Sequence, residues 1–314
     1  MADCYGCMVS FLKRKPELTA VRGLAALWVF VYHIPIYLNL NWGIDIPLVS
    51  AGYLGVPVFF ILSISLLLNS LDDNPSLEHY FKRRIKRIWP MYFFTVALVF
   101  LYYSHSLGWL VEQTTFSGVF IDNKSIGYVF WSLQIEEVAY LFFPVISRLS
   151  PLGKSRLAGV LYVSAALSCV LIFKTGTVFQ LWWLPVALSS YGLGIYVYLR
   201  KLPSFTLPLV LMGLFYWDVI PFEMLSFIVA PGFAYLVQEA TRFGFLRWKG
   251  FVWVGDSSYG LYLIHPLLLS GLGVVGAIVT LPASWAFEKA NLKLVSRFGG
   301  RQAPSVAAGP ASGS

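Results

Sequence analysis

An arginine and a histidine stand eleven residues apart inside one apolar run, Leu18-Thr-Ala-Val-Arg22-Gly-Leu-Ala-Ala-Leu-Trp-Val-Phe-Val-Tyr-His33-Ile-Pro35. On a helix, eleven steps of about 100° return both side chains to nearly one face, roughly 16 Å apart along the axis. Ionisable groups in a run of membrane length are costly; where they occur they face a protein interior or a water-filled cavity and mark function. The pair therefore reads as a site. Arg22, near one membrane face, would hold an anion, and His33, near the midplane, would supply a general base or a transient carrier nitrogen near neutral pH. The plainer alternative is a histidine hydrogen-bonded within a bundle and an arginine snorkelling to headgroups.

Three further groupings could carry chemistry. In Trp131-Ser-Leu-Gln-Ile-Glu136-Glu137-Val-Ala-Tyr140, two adjacent glutamates fall in the middle of an apolar run. They differ by 100° in direction, so at most one is expected to face the Arg22 and His33 site. Such a glutamate would orient His33 and stabilise its protonated form; the alternative is a structural pair with Arg22 or Lys124. In Tyr80-Phe-Lys-Arg-Arg84-Ile-Lys-Arg87-Ile-Trp-Pro90-Met-Tyr92, Arg84 and Arg87 are i,i+3 neighbours. Their guanidinium forks could hold phosphate groups, whereas the stretch as a whole reads as an amphipathic interfacial helix among anionic headgroups. In Ser258-Tyr-Gly-Leu-Tyr262-Leu-Ile-His265-Pro266, Ser258, Tyr262 and His265 share a helical face. They are supporting candidates ranked below His33, because such a face more often makes interhelical hydrogen bonds than does chemistry. No metal site is expected: Cys4 and Cys7 form a CxxC without a second ligand pair, and Cys169 reads as a small apolar residue.

Membrane-length helices must position these groups. Hydrophobic residues make up 58% of the 314 and charged residues 12%, with mean hydropathy +0.70. That composition excludes a soluble globule and predicts an all-α, polytopic transmembrane helix bundle. Apolar spans read at about 19–38, 48–69, 89–109, 126–146, 157–173, 178–199, 204–219, 222–238 and 257–281, giving nine to ten spans. The seventh and eighth are short and interrupted by Pro221 and Pro231, which would suit a kinked pair or a re-entrant piece. The first run lacks a cleavage site and should stay as a signal anchor. Residues 1–301 are expected to form one membrane domain and 302–314, rich in Ala, Gly, Ser and Pro, a disordered tail.

A net charge of +8 could suggest nucleic acid, but in a membrane chain the placement of Lys and Arg decides more than their sum. Lys13, Arg14 and Lys15 precede the first span, Asn39 to Pro47 has no basic residue, and Lys82 to Arg87 has five. The alternation continues through Arg148, Lys154 and Arg156, then Arg200 and Lys201, then Arg242, Arg247 and Lys249. The N-terminus and even loops are thus expected in the cytoplasm of a multi-pass inner (cytoplasmic) membrane protein whose partner is lipid and not nucleic acid.

The motifs together resemble acyltransferase family 3, integral membrane enzymes that move acyl groups onto hydroxyls of sugars and other envelope molecules. The resemblance is carried by Arg22-Gly-Leu-Ala-Ala with His33, by Gly52-Tyr-Leu-Gly55-Val-Pro-Val-Phe-Phe60-Ile-Leu-Ser63, and by Arg84-Ile-Lys-Arg87-Ile-Trp-Pro90-Met-Tyr92. Trp131 to Tyr140 and Ser258 to His265 complete it, five pieces in the family's order. It implies a roughly ten-helix bundle and acyl-coenzyme A arriving from the cytoplasm. It also implies an essential arginine and histidine at Arg22 and His33, with roles at Arg84, Arg87 and Glu136. Ile64 and Ala139 depart from the pattern in packing. After His265 a long loop and a full span are missing, and Glu288-Lys-Ala290 stands where a Glu-x-Pro ending is usual. Nine spans would put the C-terminus outside, yet Lys289, Lys293, Arg297 and Arg301 argue for inside; a shortened helical hairpin and a lost tenth span are the two solutions.

The expected activity is transfer of an acyl group, most simply acetyl, from acyl-CoA to a hydroxyl of a cell-envelope glycan or lipid-linked saccharide. His33 and Glu136 would be catalytic, Arg22, Arg84 and Arg87 would bind the donor, and Glu137, Ser258, Tyr262 and His265 would support them. No tightly bound cofactor is expected beyond acetyl-CoA or another acyl-CoA as co-substrate. The alternatives are a transporter of a small anion or lipid-linked precursor, with Pro221 and Pro231 breaking its helices, and an inactive scaffold with a shortened end.

Overall fold

The computed structural model describes residues 15–40, 46–121, 129–175 and 182–298. The expected disordered tail, the CxxC pair and Lys124 lie outside them. All regular structure among the described residues is helical. The long helices are α1 (Pro16–Leu38), α2 (Gly55–Asp73), α3 (Leu77–Tyr103), α4 (Phe130–Ser147), α5 (Pro151–Thr175), α6 (Trp183–Leu199), α7 (Phe222–Glu239) and α8 (Ser258–Phe298). Several begin or end where the sequence stops a helix. Pro16 opens α1 at a position that needs no N–H, and Asn39 closes it in the left-handed region at φ 52°. Ser76 caps α3, its hydroxyl accepting from the His79 N–H at 3.3 Å.

Six helices among the described residues are long and apolar enough to cross a membrane, and the chain is a helical membrane protein. The expected nine to ten spans are not confirmed by that count, for identifiable reasons. The expected span at 204–219 is a single turn of 3-10 helix followed by Leu209–Phe215, seven residues that rise only about 10 Å. Helix α4 is interrupted by two glutamates, and α6, at 17 residues, sits inside the bundle, where neighbouring helices relax the demand for a long apolar surface. Helix α6 packs against α2, α5 and α7, and Ser189, Ile195 and Val186 on it are fully buried.

Two expectations about helix boundaries change. The basic stretch is not a separate interfacial helix: residues 80–92 belong to the 27-residue α3, continuous through Pro90. Its arginines are thereby tied to the bundle. At the other end, α8 reverses direction. Gly273 takes φ 57°, ψ −129°, a left-handed conformation that suits glycine. Beyond it the chain runs back along its own first arm: a Cβ on Gly276 would stand 2.0 Å from the Leu268 carbonyl oxygen, and one on Gly260 would stand 2.8 Å from that of Ser284. Both arms reach adjacent residues of α3, Tyr259 Oη donating to the Ile88 carbonyl at 2.9 Å and Asn291 Nδ2 to the Arg87 carbonyl at 2.8 Å. The shortened hairpin is therefore the solution adopted, and it returns Lys289 and Lys293 to the end that carries the α3 arginines.

Ile64, where glycine was expected, fills space opposite Gly194, on which a Cβ would come 2.2 Å from the Ile64 Cγ2. The large residue on α2 is matched by a small one on α6, a volume-conserving exchange that leaves the site untouched.

Candidate active site

Arg22 is brought to the bundle interior by a close helix crossing. A Cβ on Gly23 would lie 2.4 Å from the Gly255 nitrogen, and one on Gly255 would lie 2.0 Å from the Thr19 carbonyl oxygen, so the two backbones touch only because both residues are glycine. The contact seats Arg22 Nη2 on the Gly255 carbonyl at 3.3 Å, an oxygen that also accepts from Ser258 Oγ at 2.7 Å. Arg22 Nε is buried without a partner.

Around it lies a cavity of about 100 Å³ that includes Arg22, Ser63, Arg84, Arg87, Glu136, Glu137, Tyr140, Ser258 and Tyr262 in its walls. The i,i+3 pairing of Arg84 and Arg87 places both there. Arg84 stacks over the Tyr140 ring at 5.7 Å, and its Nε too lacks a partner. The expectation that only one glutamate would face the site is overturned. Glu136 turns towards α2 and accepts from Ser63 Oγ and from Tyr140 Oη at 2.5 Å. Glu137 turns towards α3 and accepts from Trp89 Nε1 at 3.1 Å, leaving Oε1 buried and unpaired. Because the cavity lies between α2 and α3, a 100° difference still leaves both carboxylates on its wall. Among the described residues neither makes an ion pair with Arg22. The returning arm of α8 adds Glu288, within electrostatic reach of Arg87 and Arg22 and with Oε2 unpaired.

His33 faces a different space. A cavity of about 600 Å³ is bounded by Tyr32, His33, Tyr37, Tyr53, Trp131, Trp182, Trp217, Phe222 and Tyr262 among others. Its rings form a chain of contacts: Tyr32 to Tyr53 at 5.5 Å, Tyr53 to Phe222 at 5.0 Å, Trp182 to Phe222 at 5.9 Å and Trp131 to Trp182 at 4.7 Å. Arg22 and His33 thus share a helix but not a compartment, which corrects the single site expected from their spacing. Glu136 does not orient His33, since its partners lie in the smaller cavity.

Tyr262 is common to both walls. It is 5% exposed, its hydroxyl is bonded to Ser132 Oγ at 2.7 Å, and its ring meets Phe59 edge to face at 5.6 Å. Ser258, Tyr262 and His265 line up as their spacing predicts, running from the arginine cavity to His33: His265 Nε2 lies 3.2 Å from His33 Nδ1.

The profile described as Acyltransferase domain matches residues 15–287. The chain belongs to acyltransferase family 3. Among its relatives is "Putative acetyltransferase ORF330" of Acidianus two-tailed virus, 33% identical over 303 residues that cover 87% of this chain and 89% of that protein. "Putative peptidoglycan O-acetyltransferase YrhL" of Bacillus subtilis is 26% identical over 80% of this chain, which spans 48% of it. "Putative O-acetyltransferase SAS0844" of Staphylococcus aureus is 29% identical over 43% of this chain and 25% of its own length. No solved structure matches. This membrane acyltransferase is therefore an O-acyl transferring enzyme.

The spacing arguments found Arg22, His33, Arg84, Arg87 and both glutamates. They missed Ser63 and Tyr140 as partners of Glu136, Trp89 as partner of Glu137, and the aromatic walls. Ser63 stood within a quoted motif, but its partner lies 73 residues away and leaves no local signal; Tyr140 lies four residues after Glu136, a spacing that puts the two on one helical face and could have found it.

Proposed function

We propose that this acyltransferase carries an acyl group, most simply acetyl, from acyl-CoA on the arginine side to a hydroxyl of an envelope glycan or lipid-linked saccharide in the aromatic cavity. One observation carries the reading: two cavities of opposite chemistry meet at a single side chain, Tyr262. The smaller gathers three guanidinium groups, and two of them keep a buried nitrogen unpaired. Buried donors without partners are rare in a finished core and are expected to be met by a ligand, and paired phosphates offer the bidentate oxygens that guanidinium groups match. The larger, about 600 Å³, has the size and mostly aromatic lining of a small-molecule site.

In the transfer, the acceptor oxygen attacks the thioester carbonyl carbon, the C–S bond breaks, and the hydroxyl proton passes to His33 and then to the departing sulfur. Tyr262 and Ser132, bonded to each other at the junction, stand where donor carbonyl and acceptor hydroxyl would meet. The placement of the basic residues supports an inner membrane orientation with the N-terminus and the arginine cavity on the cytoplasmic side, where acyl-CoA is made.

The test uses purified protein in lipid nanodiscs with isotopically labelled acetyl-CoA and isolated envelope glycans or lipid-linked saccharides. Release of free coenzyme A thiol with label appearing on the saccharide supports the reading. Thiol release with no label on any saccharide fraction would remove the glycan acceptor, and absence of both with every acyl-CoA tried would remove the donor.

A further inference from the structure

We propose that His265 is a positioning residue for His33, fixing its tautomer and sharing the positive charge it acquires during transfer. This rests on His33 being the base, and it assigns to a second histidine the part that sequence spacing gave to Glu136.

The geometry determines where the protons lie. His265 Nδ1 is 2.9 Å from the Leu261 carbonyl oxygen. A carbonyl can only accept, so in the neutral ring that nitrogen carries the hydrogen and Nε2 keeps the lone pair. Nε2 points at His33 Nδ1, 3.2 Å away. His33 Nδ1 is itself 2.9 Å from the Val29 carbonyl oxygen. Both neighbours of His33 Nδ1 are then acceptors, and that atom must carry its ring's hydrogen and divide it between them. Nε2 of His33 is left as the basic nitrogen, and His33 lines the aromatic cavity.

His265 is not itself placed to react. It is fully buried and borders neither cavity, and Phe30 and Tyr262 flank it with ring centroids at 6.0 and 6.1 Å. Among the described residues no carboxylate bonds to either ring. When His33 Nε2 takes the acceptor's hydroxyl proton, the ring becomes an imidazolium, and its Nδ1–H to His265 Nε2 becomes a charge-assisted hydrogen bond, stronger than the neutral one. The acceptor oxygen meanwhile bonds to the acyl carbon, sulfur leaves, and the same proton goes from His33 Nε2 to sulfur. Protons balance, and His265 never gives up its own. The arrangement serves the purpose of a histidine oriented by a carboxylate, but it adds no buried negative charge to the middle of the bundle, where an unpaired carboxylate would be costly.

Two measurements test it. In the first, wild-type enzyme labelled with 15N in the imidazole rings is examined by solid-state NMR in nanodiscs, His33 being assigned by its loss in His33→Asn. The result expected is a hydrogen on Nδ1 and a bare Nε2 in His33; a hydrogen on Nε2 of neutral His33 would overturn the proposal whatever the donor or acceptor proves to be. In the second, turnover is compared for His265→Leu and His265→Gln, with coenzyme A binding as a control on folding and on the arginine cavity. Loss of a hydrogen bond to a charged group predicts kcat lower by about 10- to 100-fold in His265→Leu, with KM for both substrates little changed. Glutamine, whose amide oxygen can reach the position of Nε2 and accept, should restore at least part of that loss. Turnover of His265→Leu within about twofold of wild type, or His265→Gln no better than His265→Leu, would contradict it. Absence of acyl-CoA turnover in the wild type would strike the functional reading instead, and the NMR result would still decide the tautomer.

Discussion

The two cavities differ in almost every physical respect though they share a wall. The arginine cavity is small, about 100 Å³, and charged groups on its walls keep unsatisfied atoms. The His33 cavity is about six times larger and is closed mostly by aromatic rings that pair with one another. Unpaired buried polar atoms cost about 1–3 kcal/mol each, so the smaller cavity would gain most from a charged ligand that pairs with them. The rings that wall the larger already contact one another, and a ligand there would gain from shape and stacking. A donor held by phosphates and an acceptor held by ring faces would each find the side that suits it, with the thioester carbonyl and the hydroxyl meeting at Tyr262.

If that division is right, damage to one side should leave binding on the other intact. His33→Ala should produce the largest effect, lowering kcat by about 10²- to 10⁴-fold as expected for loss of a general base, while coenzyme A binds as in the wild type; near wild-type turnover per folded molecule would end the assignment. Replacing Arg84 and Arg87 together by glutamine should raise KM for acyl-CoA by about 10- to 100-fold and leave the acceptor KM unchanged. Equal loss for both substrates would reassign these arginines to topology or folding.

Smaller effects sharpen the comparison. Gly255→Ala puts a methyl group 2.0 Å from the Thr19 carbonyl oxygen. It should lower stability by about 1–3 kcal/mol and disturb donor binding through Arg22 more than acceptor binding. An unchanged melting temperature would show the crossing to be loose. Trp182→Ala, in the aromatic wall, should raise only the acceptor KM, by about 2- to 10-fold, in line with a lost ring contact. An increase confined to the acyl-CoA KM would place the donor in the wrong cavity.

Much of the charged machinery was legible in the chain because each group breaks a local rule. Arg22, His33, Glu136 and Glu137 are ionisable residues in apolar runs, and Arg84 and Arg87 repeat at helical spacing in a basic stretch. The division into two cavities was not legible, for it depends on Tyr262 packing against Phe59 of α2 and bonding to Ser132 of α4, contacts that leave no periodic trace. Nor was the partnership of His33 with a histidine 232 residues away. The hairpin after His265 was not legible either: Gly273 reverses α8 inside an unbroken apolar run, and a hydropathy pattern cannot distinguish a turn there from a continuing helix. The same reversal explains how basic residues near the C-terminus rejoin the α3 arginines.

The central claim, that the arginine cavity takes the donor and the His33 cavity the acceptor, is tested most directly by cross-linking. A coenzyme A bearing a photoreactive group on its adenosine end is irradiated with the wild-type enzyme, and the modified peptides are mapped by mass spectrometry. The account predicts adducts on the walls of the smaller cavity, at residues 84–88, 132–140 or 258–259, competed away by unlabelled coenzyme A. Competed adducts at Trp182 or at residues 217–222 instead would contradict it.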